Sequence, residues 1–346
     1  MQLGGVEKGV NLSIQALNES FDYKVLTLSN NNSFIAKKNL PYFEIGRNIF
    51  FPNLNYLRKE KPKILIASLW KSVFISIIYR KLVNRKVVLV GFVHSEIYFH
   101  LLDKIFSKIL LKCADAIACD SLNTLKTIQK KNILQKKHFV IPFIFPQKIE
   151  VKNRLTVNEK IKFLYTGRIA EIKNLELVFD FFEIFKQNNI PFLFNIYGVG
   201  EIKYIGTLKK IIVKKQLQDC VFFNDRFEPE ATSSIYSQYH FYIQFSKNEG
   251  MAMSVVDAMM NGLIPICTSV GEIQNYVQHN KNGLLTNSNS AEMELNLLNK
   301  ELVTLINNSA LYEQMSEFNK QYFDDKKDYV SSFNAMINNL LREEQL

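Results

Sequence analysis

Charged residues follow an apolar segment in the second half of the chain, where a predicted strand ends and a turn begins. Arg168 and Lys173 come after the apolar run 161–165 and lie beside Gly167. A guanidinium and an ammonium at one strand end suit a diphosphate better than a single carboxylate. An arginine alone in this position more often forms a weak surface ion pair, so its role depends on the residues that accompany it.

A second cluster lies in the segment 245–277. A strand ends at Ser246, Glu249 and Gly250 form a turn, and a helix begins near Ala252. Backbone N–H groups at the start of a helix form a cradle for anions or hydroxyls, and glycine lets the backbone come close to a ligand. A glutamate before a helix can also simply stabilise the helix dipole. Both clusters follow strands, in the same relative position, and this coincidence favours a ligand site.

Two glycine turns add weaker signals. Gly198 and Gly200 in the segment YGVGE permit a tight turn from a strand into a helix, although a G-x-G pattern by itself favours a plain turn. Gly4 and Gly5 near the N-terminus open a predicted helix and form another candidate phosphate nest.

Apolar runs alternate with amphipathic helical segments along most of the chain. Such runs, rich in Val, Ile and Leu and separated by helices, indicate parallel sheets covered on both faces. The predicted strands are 63–70, 86–95, 115–121, 138–143, 161–169, 192–200, 220–225, 241–246, 264–269 and 283–286. The sequence therefore predicts an α/β protein with two doubly wound sheets, whose ligands gather at the carboxyl ends of the strands.

A polar stretch at 147–160 interrupts this alternation and predicts an inter-domain linker. We expect a first domain over 1–150, a second over 151–328, and a C-terminal helix over 329–346 that crosses back to the first domain. No apolar run reaches the length of about 18 residues that a membrane span requires. The N-terminus lacks the pattern of a secretory signal, which predicts a cytoplasmic protein.

The net charge of +10 is unevenly distributed. Residues 1–150 contain 23 Lys and Arg against 10 Asp and Glu, whereas residues 151–346 contain 20 against 23. The basic half fits an anionic partner, either a membrane surface or an acidic substrate, or it is an ordinary lysine-rich surface. The basic amphipathic stretch 100–112, within a predicted helix over about 97–113, could lie on an anionic bilayer or, as such stripes more often do, face the domain core.

Four cysteines, Cys113, Cys119, Cys220 and Cys267, lie beside apolar residues without metal-ligand spacing, and we expect them to be buried, reduced thiols. The sequence contains no D-x-D triplet and no His/Asp cluster, so we expect no metal or other cofactor. Nucleic acid is not an expected partner, because the chain has no stacking-aromatic or recognition-helix signature.

Several of these segments resemble glycosyltransferase family 4, a retaining group with the GT-B fold. The resemblance is carried by LYTGRIAEIKNLELVF, YGVGE, the block 245–277 and NGLL, and more weakly by GGVEKGV, VGFVHS, CADAIACDS and KKHFVIPF. It implies two Rossmann-like domains that face each other across a cleft. It also implies transfer of a sugar from a nucleotide-diphosphate sugar to a glycan or lipid-linked acceptor, in surface polysaccharide or lipopolysaccharide synthesis.

The resemblance also implies roles for individual residues. Arg168 and Lys173 would hold the diphosphate of the donor, Glu249 would face the hydroxyls of the donor sugar, and Asp257 would bind the ribose. His94 would line the cleft beside the reacting sugar, either as an acid–base catalyst or, as we favour, as a hydrogen-bond donor. The remaining donor-binding positions would be Gly4, Gly5, Gly167, Gly198, Gly250, Met251, Ala252 and Met253.

Two features depart from the family pattern. The family has a second glutamate eight residues after the first, and Asp257 is shorter by one methylene, about 1.3–1.5 Å. A buried strand normally precedes the Gly-Gly loop, yet Met1 lies three residues before Gly4, so we expect a truncated chain or a mis-set start. These departures favour an alternative from another class, a GT-B binding or scaffold protein without turnover, against which the intact Glu249, Arg168 and Lys173 argue. Within the enzyme class, a sugar-nucleotide epimerase with the same fold is a further alternative.

Overall fold

The computed structural model describes residues 21–27, 42–44, 51–94, 101–130, 136–145, 159–287 and 291–343. The chain forms two compact units. One comprises Met1–Phe145 together with Lys327–Leu346, and the other comprises Pro146–Lys326.

The first unit is built on a parallel sheet of four strands in the order β3-β4-β5-β6. These strands are β3 (Ile64–Ala67), β4 (Val88–Val93), β5 (Ala116–Cys119) and β6 (Lys137–Val140). Two short strands that the sequence analysis did not assign, β1 (Val25–Thr27) and β2 (Tyr42–Glu44), pair in parallel as a separate ribbon. The helices of this unit span Phe51–Glu60, Trp70–Leu82, Leu101–Cys113, Leu122–Lys130 and Tyr329–Glu343.

The strands of the first unit are shorter than the apolar runs that predicted them. The predicted strand 63–70 ends at Ala67, because the Ser72 hydroxyl accepts hydrogen bonds from the backbone amides of Ser68 and Leu69 and the Trp70–Leu82 helix then begins. Apolar character alone does not mark such an end, since Leu69 and Trp70 continue the pattern.

The C-terminal helix Tyr329–Glu343 belongs to the first unit. The amide of Tyr329 donates to the carbonyl of Ile144 at 2.9 Å, and its ring stacks on Phe143 at 5.4 Å between ring centroids. A second ring contact joins Phe333 of the same helix to Tyr23, at 5.8 Å and edge to face. Aromatic packing therefore fixes the helix against residues that lie more than a hundred positions earlier in the chain.

The second unit contains a parallel sheet of six strands in the order β12-β11-β10-β7-β8-β9. The strands are β7 (Ile161–Thr166), β8 (Phe192–Tyr197), β9 (Val221–Asn224), β10 (Phe241–Gln244), β11 (Ile264–Thr268) and β12 (Leu284–Thr286). The helices of eight residues or more span Leu175–Lys186, Ile202–Lys214, Met253–Met260, Ala291–Ile306 and Ser309–Gln321. The first strand of this unit, β7, is thus central, and the chain winds outward from it in both directions, which is the doubly wound order.

The core of the second unit is rich in phenylalanine. Phe163 of β7 lies fully buried between the Leu175–Lys186 helix and the neighbouring strand, with ring centroids 5.0 Å from Phe182 and 5.4 Å from Phe241. Stacked and edge-to-face aromatic pairs of this kind fix the helix on the sheet. The polar residues that follow β7 are therefore attached to a rigid strand.

One expectation about the cysteines is wrong. Cys113 is exposed, because it is the last residue of the Leu101–Cys113 helix, whereas Cys119 and Cys267 are buried in strands and Cys220 is partly buried. All four thiols are free.

Candidate active site

The charged residues selected from the sequence emerge at the point where the sheet of the second unit reverses its winding. Strands β7 and β10 are neighbours, with Phe163 aligned to Phe241 and Leu164 to Tyr242. After β7 the chain continues to β8 and β9 towards one edge of the sheet. After β10 it continues to β11 and β12 towards the opposite edge. Doubly wound sheets bind ligands in the crevice that this divergence opens at the carboxyl ends of the two strands.

Lys173 and Glu249 meet across this point. The ammonium nitrogen Nζ of Lys173 lies 2.6 Å from the carboxylate oxygen Oε1 of Glu249, and the two side chains are 17% and 9% exposed. Lys173 is the last residue of a single 3-10 turn, Glu171–Lys173, and the backbone amide of Lys247 donates to Ile172 in that turn at 2.9 Å. The loops after β7 and β10 are thus joined by both backbone and side chains.

Gln244 completes the environment of Glu249. Its amide nitrogen Nε2 lies 2.8 Å from Oε1 of Glu249, and its oxygen Oε1 accepts from the hydroxyls of Tyr242 and Ser254 at 2.9 and 3.1 Å. Burial raises the pKa of the Tyr242 phenol, so that hydroxyl stays protonated at neutral pH. The sequence analysis did not select Gln244, although an amide inside the apolar strand FYIQ was a signal that could have identified it.

Arg168 lies at the same edge, with its side chain directed to solvent rather than to a charged group among the described residues. Its side chain is exposed and makes no ion pair or side-chain hydrogen bond within the described part of the chain. Its backbone is held, because its carbonyl accepts a hydrogen bond from the buried Tyr165 hydroxyl at 2.9 Å. A fixed backbone that carries an exposed guanidinium is suited to an anionic ligand.

The glycines after β7 and β8 allow two loops to pack backbone against backbone. A Cβ atom at Gly198 would lie 1.9 Å from the carbonyl oxygen of Gly167, and one at Gly200 would lie 2.2 Å from that of Ile169. Gly167 itself has a positive φ of 149°. These glycines therefore allow the close approach of the loop that carries Arg168, whereas a donor-binding role for Gly198 stays a prediction.

The helix after Glu249 begins without a side-chain cap. It spans Met253–Met260 and starts after Ala252, which adopts the left-handed conformation at φ 53°. The preceding turn is anchored by the Tyr276 hydroxyl, which donates to the carbonyl of Met251 at 2.8 Å. Left-handed backbone at a residue other than glycine costs about 1–2 kcal/mol and is typical of functional sites.

A glycine that the sequence analysis did not single out holds the Glu249–Gly250 turn. The amide of Glu272 donates to the carbonyl of Gly250 at 3.0 Å, and Gly271 has a φ of 57°. A Cβ atom at Gly271 would lie 2.2 Å from the carbonyl oxygen of Glu249. Only glycine fits this position without displacing the turn.

Asp257 lies on the same helix and is largely buried. Its backbone carbonyl accepts from the backbone amide and the side-chain amide of Asn261, at 3.1 and 2.8 Å. Burial raises the pKa of the nearby Tyr236, and electrostatic interaction with the Asp257 carboxylate adds to this shift. The structure therefore places Asp257 on the helix that follows Glu249, close to the phenol of Tyr236.

His94 follows β4 in the first unit and lies in an aromatic stack. Its ring is 4.4 Å from the ring of Phe92 and 5.6 Å from that of Phe143, both nearly parallel to it. Burial among these rings lowers the pKa of His94 to about 4. The imidazole is therefore neutral at physiological pH.

The remaining expectations fall outside the described residues or concern metals and membranes. Gly4 and Gly5 lie outside the described residues, so the phosphate nest expected there stays a prediction. Among the residues that the structure does describe, no group of three or more His, Cys, Asp or Glu side chains could hold a metal ion. None of the described helices is both long and apolar enough to cross a bilayer.

Comparison with known proteins decides the family. Residues 146–322 match the family described as "Glycosyl transferases group 1". The chain belongs to this family. The match covers the whole of the second unit up to the C-terminal end of the Ser309–Gln321 helix and includes every site residue of that unit. It is compatible with glycosyltransferase family 4.

Individual relatives agree with the group 1 glycosyltransferase assignment. The amylovoran biosynthesis glycosyltransferase AmsK of Erwinia amylovora is 26% identical over 156 residues, which are 43% of this chain and 38% of AmsK. The alignment thus spans little more than a third of the length of that relative.

Solved structures resemble the chain over nearly its whole length. The Anabaena protein HepE in complex with UDP-glucose has a TM-score of 0.78 at 15% identity, covering 99% of this chain and 97% of HepE. The lipopolysaccharide outer core galactosyltransferase WaaB has a TM-score of 0.74 at 16% identity, covering 98% and 96%. At this level of identity the likeness shows the fold, and it confirms the expected GT-B class with two Rossmann-like parallel sheets.

Proposed function

We propose that this group 1 family member is a retaining, metal-independent glycosyltransferase that moves a sugar from a nucleotide-diphosphate sugar to a glycan or lipid-linked acceptor. The observation that carries the proposal is the convergence of Lys173 and Glu249 at the switch point of the sheet. At this point an ammonium that can bind a diphosphate lies next to a carboxylate that can accept hydrogen bonds from sugar hydroxyls. A nucleotide sugar carries both of these groups.

The surrounding groups support the same ligand. Arg168 offers an exposed guanidinium at the edge where Lys173 lies, and the start of the Met253–Met260 helix, which has no side-chain cap, offers backbone amides beside Glu249. Fixed cations and a helix terminus stabilise a leaving diphosphate electrostatically and need no reorganisation during the reaction. Asp257 is assigned to the ribose by the family resemblance.

The chemistry of the proposal is a substitution at the anomeric carbon. The bond from that carbon to the diphosphate oxygen breaks, the acceptor hydroxyl oxygen forms the new glycosidic bond, and the hydroxyl proton passes to the leaving phosphate. Attack from the same face preserves the anomeric configuration. His94 is assigned as a neutral hydrogen-bond donor to the sugar, because burial lowers its pKa to about 4 and disfavours proton uptake.

The names of relatives suggest where to search for donor and acceptor. HepE was crystallised with UDP-glucose, AmsK is named for amylovoran biosynthesis and WaaB for the lipopolysaccharide outer core. UDP sugars are therefore the first donors to test. By analogy with AmsK and WaaB, we propose a role in the synthesis of a surface polysaccharide or lipopolysaccharide.

A binding panel tests the donor class. Thermal unfolding is followed with UDP, GDP, ADP, CMP and their sugars in the presence of EDTA, on the wild type, Arg168→Ala and Lys210→Ala. Arg168 and the control Lys210 are both exposed, so neither variant should disturb folding. We expect one nucleotide class to stabilise the wild type and Lys210→Ala but not Arg168→Ala. A folded wild type that no nucleotide stabilises would overturn the proposal and favour a scaffold protein.

Products then separate the remaining alternatives. The donor identified by the panel is incubated alone and with lipid or glycan acceptors, and the products are identified by mass spectrometry and by NMR of the anomeric proton. Transfer or slow hydrolysis with retained configuration supports the proposal. An isomerised sugar nucleotide formed without acceptor indicates an epimerase, and binding without any product indicates a protein that has lost turnover.

The first unit also presents a surface that suits the proposed lipid-linked acceptor. Leu101, Leu102 and Ile105, at the N-terminal end of the Leu101–Cys113 helix, are 71%, 46% and 43% exposed. Lys104 and Lys108 of the same helix are also exposed. Apolar residues flanked by lysines bind anionic bilayers, because acyl chains cover the former and headgroups pair with the latter. We therefore propose that this helix docks on an anionic membrane at the cytoplasmic face.

Vesicle sedimentation tests the docking surface. The wild type, the double variant Leu101→Gln/Leu102→Gln and the control Ile202→Gln are mixed with vesicles of phosphatidylcholine alone or with phosphatidylglycerol. Ile202 is the control because it is an aliphatic residue of the second unit that is even more exposed, at 89%. We expect binding to anionic vesicles that weakens with salt and is lost only in the double variant. Equal binding by all three proteins would exclude this helix as the docking element.

A further inference from the structure

We propose that Gln244 is a positioning residue that keeps the Glu249 carboxylate in place when Lys173 turns to a donor diphosphate. The inference rests on the proposed function and adds to it a residue for which neither the sequence motifs nor the family resemblance gives a role. It starts from a buried glutamine side chain in the middle of the sheet.

The direction of the Gln244 amide is determined by its neighbours. A carboxylate only accepts hydrogen bonds, so the side-chain group of Gln244 that lies 2.8 Å from Glu249 must be the NH₂ group. The amide oxygen then faces two hydroxyl donors, Tyr242 at 2.9 Å and Ser254 at 3.1 Å. The hydroxyl of Tyr242 also lies 3.0 Å from the carbonyl of Thr166 at the end of β7. The glutamine is thus held from the interior of the sheet.

Lys173 and Gln244 hold the same oxygen of Glu249 in different ways. Lys173 belongs to a turn near the surface, and its ammonium is the group that a diphosphate would attract. Gln244 is neutral and buried, and hydrogen bonds hold both its NH₂ group and its oxygen. An anionic ligand therefore does not attract this side chain. When the ammonium leaves, a carboxylate that is only 9% exposed would lose its charged partner. A hydrogen bond from Gln244 offsets part of that cost and preserves the orientation of Glu249.

This division of roles predicts which part of the donor depends on Gln244. The diphosphate is assigned to Arg168 and Lys173, whereas the sugar hydroxyls are assigned to Glu249. Loss of Gln244 should therefore weaken the part of the donor affinity that comes from the sugar. The part that comes from the nucleoside diphosphate should stay unchanged. A glutamine that only supported the fold would affect both contributions alike.

Calorimetric titration measures the two contributions separately. The probes are the sugar nucleotide found in the panel, beginning with UDP-glucose, and its nucleoside diphosphate without the sugar. The proteins are the wild type, Gln244→Met and the control Gln238→Met. Gln238 is exposed, and its side-chain amide donates to the backbone carbonyl of Ser234 at 2.8 Å, so its replacement tests the substitution itself.

In Gln244→Met the Kd of the sugar nucleotide should rise about tenfold, as expected for the loss of a hydrogen bond to a charged group. The Kd of the nucleoside diphosphate should stay within about twofold, and the control should match the wild type. Equal weakening of both ligands, or of neither, would overturn the inference. A wild type that binds no nucleotide would overturn the proposed function instead, which separates the two failures.

A second variant covers the case in which Gln244→Met does not fold. Gln244→Glu keeps an acceptor for Tyr242 and Ser254 but places a second carboxyl group against Glu249. Two carboxyls at hydrogen-bond distance share a proton more readily as the pH falls, and the protonated group can donate. We expect weak binding of the sugar nucleotide near pH 8 and recovery towards pH 5 in this variant only. A pH profile parallel to that of the wild type would contradict the positioning role.

Discussion

The ammonium of Lys173 lies 2.6 Å from the carboxylate of Glu249, although the two residues are 76 positions apart in the chain. Each residue follows one of the two strands between which the sheet of the second unit changes its direction of winding. The pair therefore links the two halves of the sheet at the edge where ligands of this fold bind.

Removal of either member of this pair should abolish most of the transfer activity. We expect Lys173→Met and Glu249→Gln each to lower kcat/KM by about 10²–10³-fold, the loss typical when one electrostatic contact to a transition state is removed. The double variant should be less impaired than the product of the single effects, because paired groups act together. Steady-state kinetics with saturating acceptor measure both effects.

The control for this pair is Lys320→Met, which removes the half-buried partner of the exposed Glu317 in the same unit. A surface pair of that kind contributes under about 1 kcal/mol, and neither activity nor donor binding should change. Strictly additive losses in the Lys173 and Glu249 variants would show that the two residues act independently.

Alanine at Gly198 should disturb the end of β7. The new Cβ atom would lie 1.9 Å from the carbonyl oxygen of Gly167, so the loop that carries Arg168 must move. We expect the free energy of unfolding to fall by more than about 2 kcal/mol, as for other overpacked sites, and nucleotide binding to be lost.

Gly206→Ala is the control for that substitution. Gly206 lies in the Ile202–Lys214 helix, and a Cβ atom there would meet nothing within 4 Å. Because alanine favours the helix, the free energy of unfolding should rise by about 0.5–1 kcal/mol. Urea denaturation of both variants gives the comparison, and a Gly198→Ala protein as stable as the wild type would contradict the close approach of the two loops.

Gly271→Ala should act on the sugar side of the site. Its Cβ atom would lie 2.2 Å from the carbonyl oxygen of Glu249, which displaces the turn that presents the carboxylate. We expect donor affinity and kcat to fall together. Gly262→Ala shares the strain of a positive φ, but its nearest neighbour is the flexible side chain of Lys320, so stability should fall without a change in donor affinity. Equal donor affinity in the two variants would argue against this role for Gly271.

The stability of the protein should depend on His94 in mildly acidic solution. The pKa of His94 in the folded protein is about 4, below the unfolded value of 6.5, so the unfolded state binds a proton first as the pH falls. This group should leave stability unchanged above about pH 6.5 and lower it progressively between about pH 6.5 and 4, by at most about 3 kcal/mol.

Urea denaturation at a series of pH values, with the wild type and His94→Gln, measures this dependence. The variant should lose stability less steeply over that interval. His138→Gln, which removes an exposed histidine of β6, controls for the loss of a histidine as such. Parallel slopes in the wild type and His94→Gln would show that His94 does not carry the effect.

The sequence by itself predicted the α/β class and placed all ten strands of the two large sheets. It could do so because a strand buried on both faces needs an unbroken apolar run, and such runs are visible in one dimension. It also located Arg168, Lys173 and Glu249 immediately after strands, since polar residues at the end of an apolar run mark the strand end. The short strands Val25–Thr27 and Tyr42–Glu44 carry no such run and were not found.

The tertiary structure alone decided which strand ends are neighbours. A pattern of apolar residues shows that a strand is buried but does not show which strand pairs with it. The sequence therefore does not state that β7 lies beside β10, which is what brings Lys173 to Glu249. The same holds for Gln244, whose role depends on hydroxyls from its own strand and from the following helix. Gly271 is a further case, because the atom that excludes a side chain there belongs to a residue 22 positions earlier. The amino-acid sequence determines which side chains follow each strand, and the order of the strands in the sheet determines which of these side chains lie in one site.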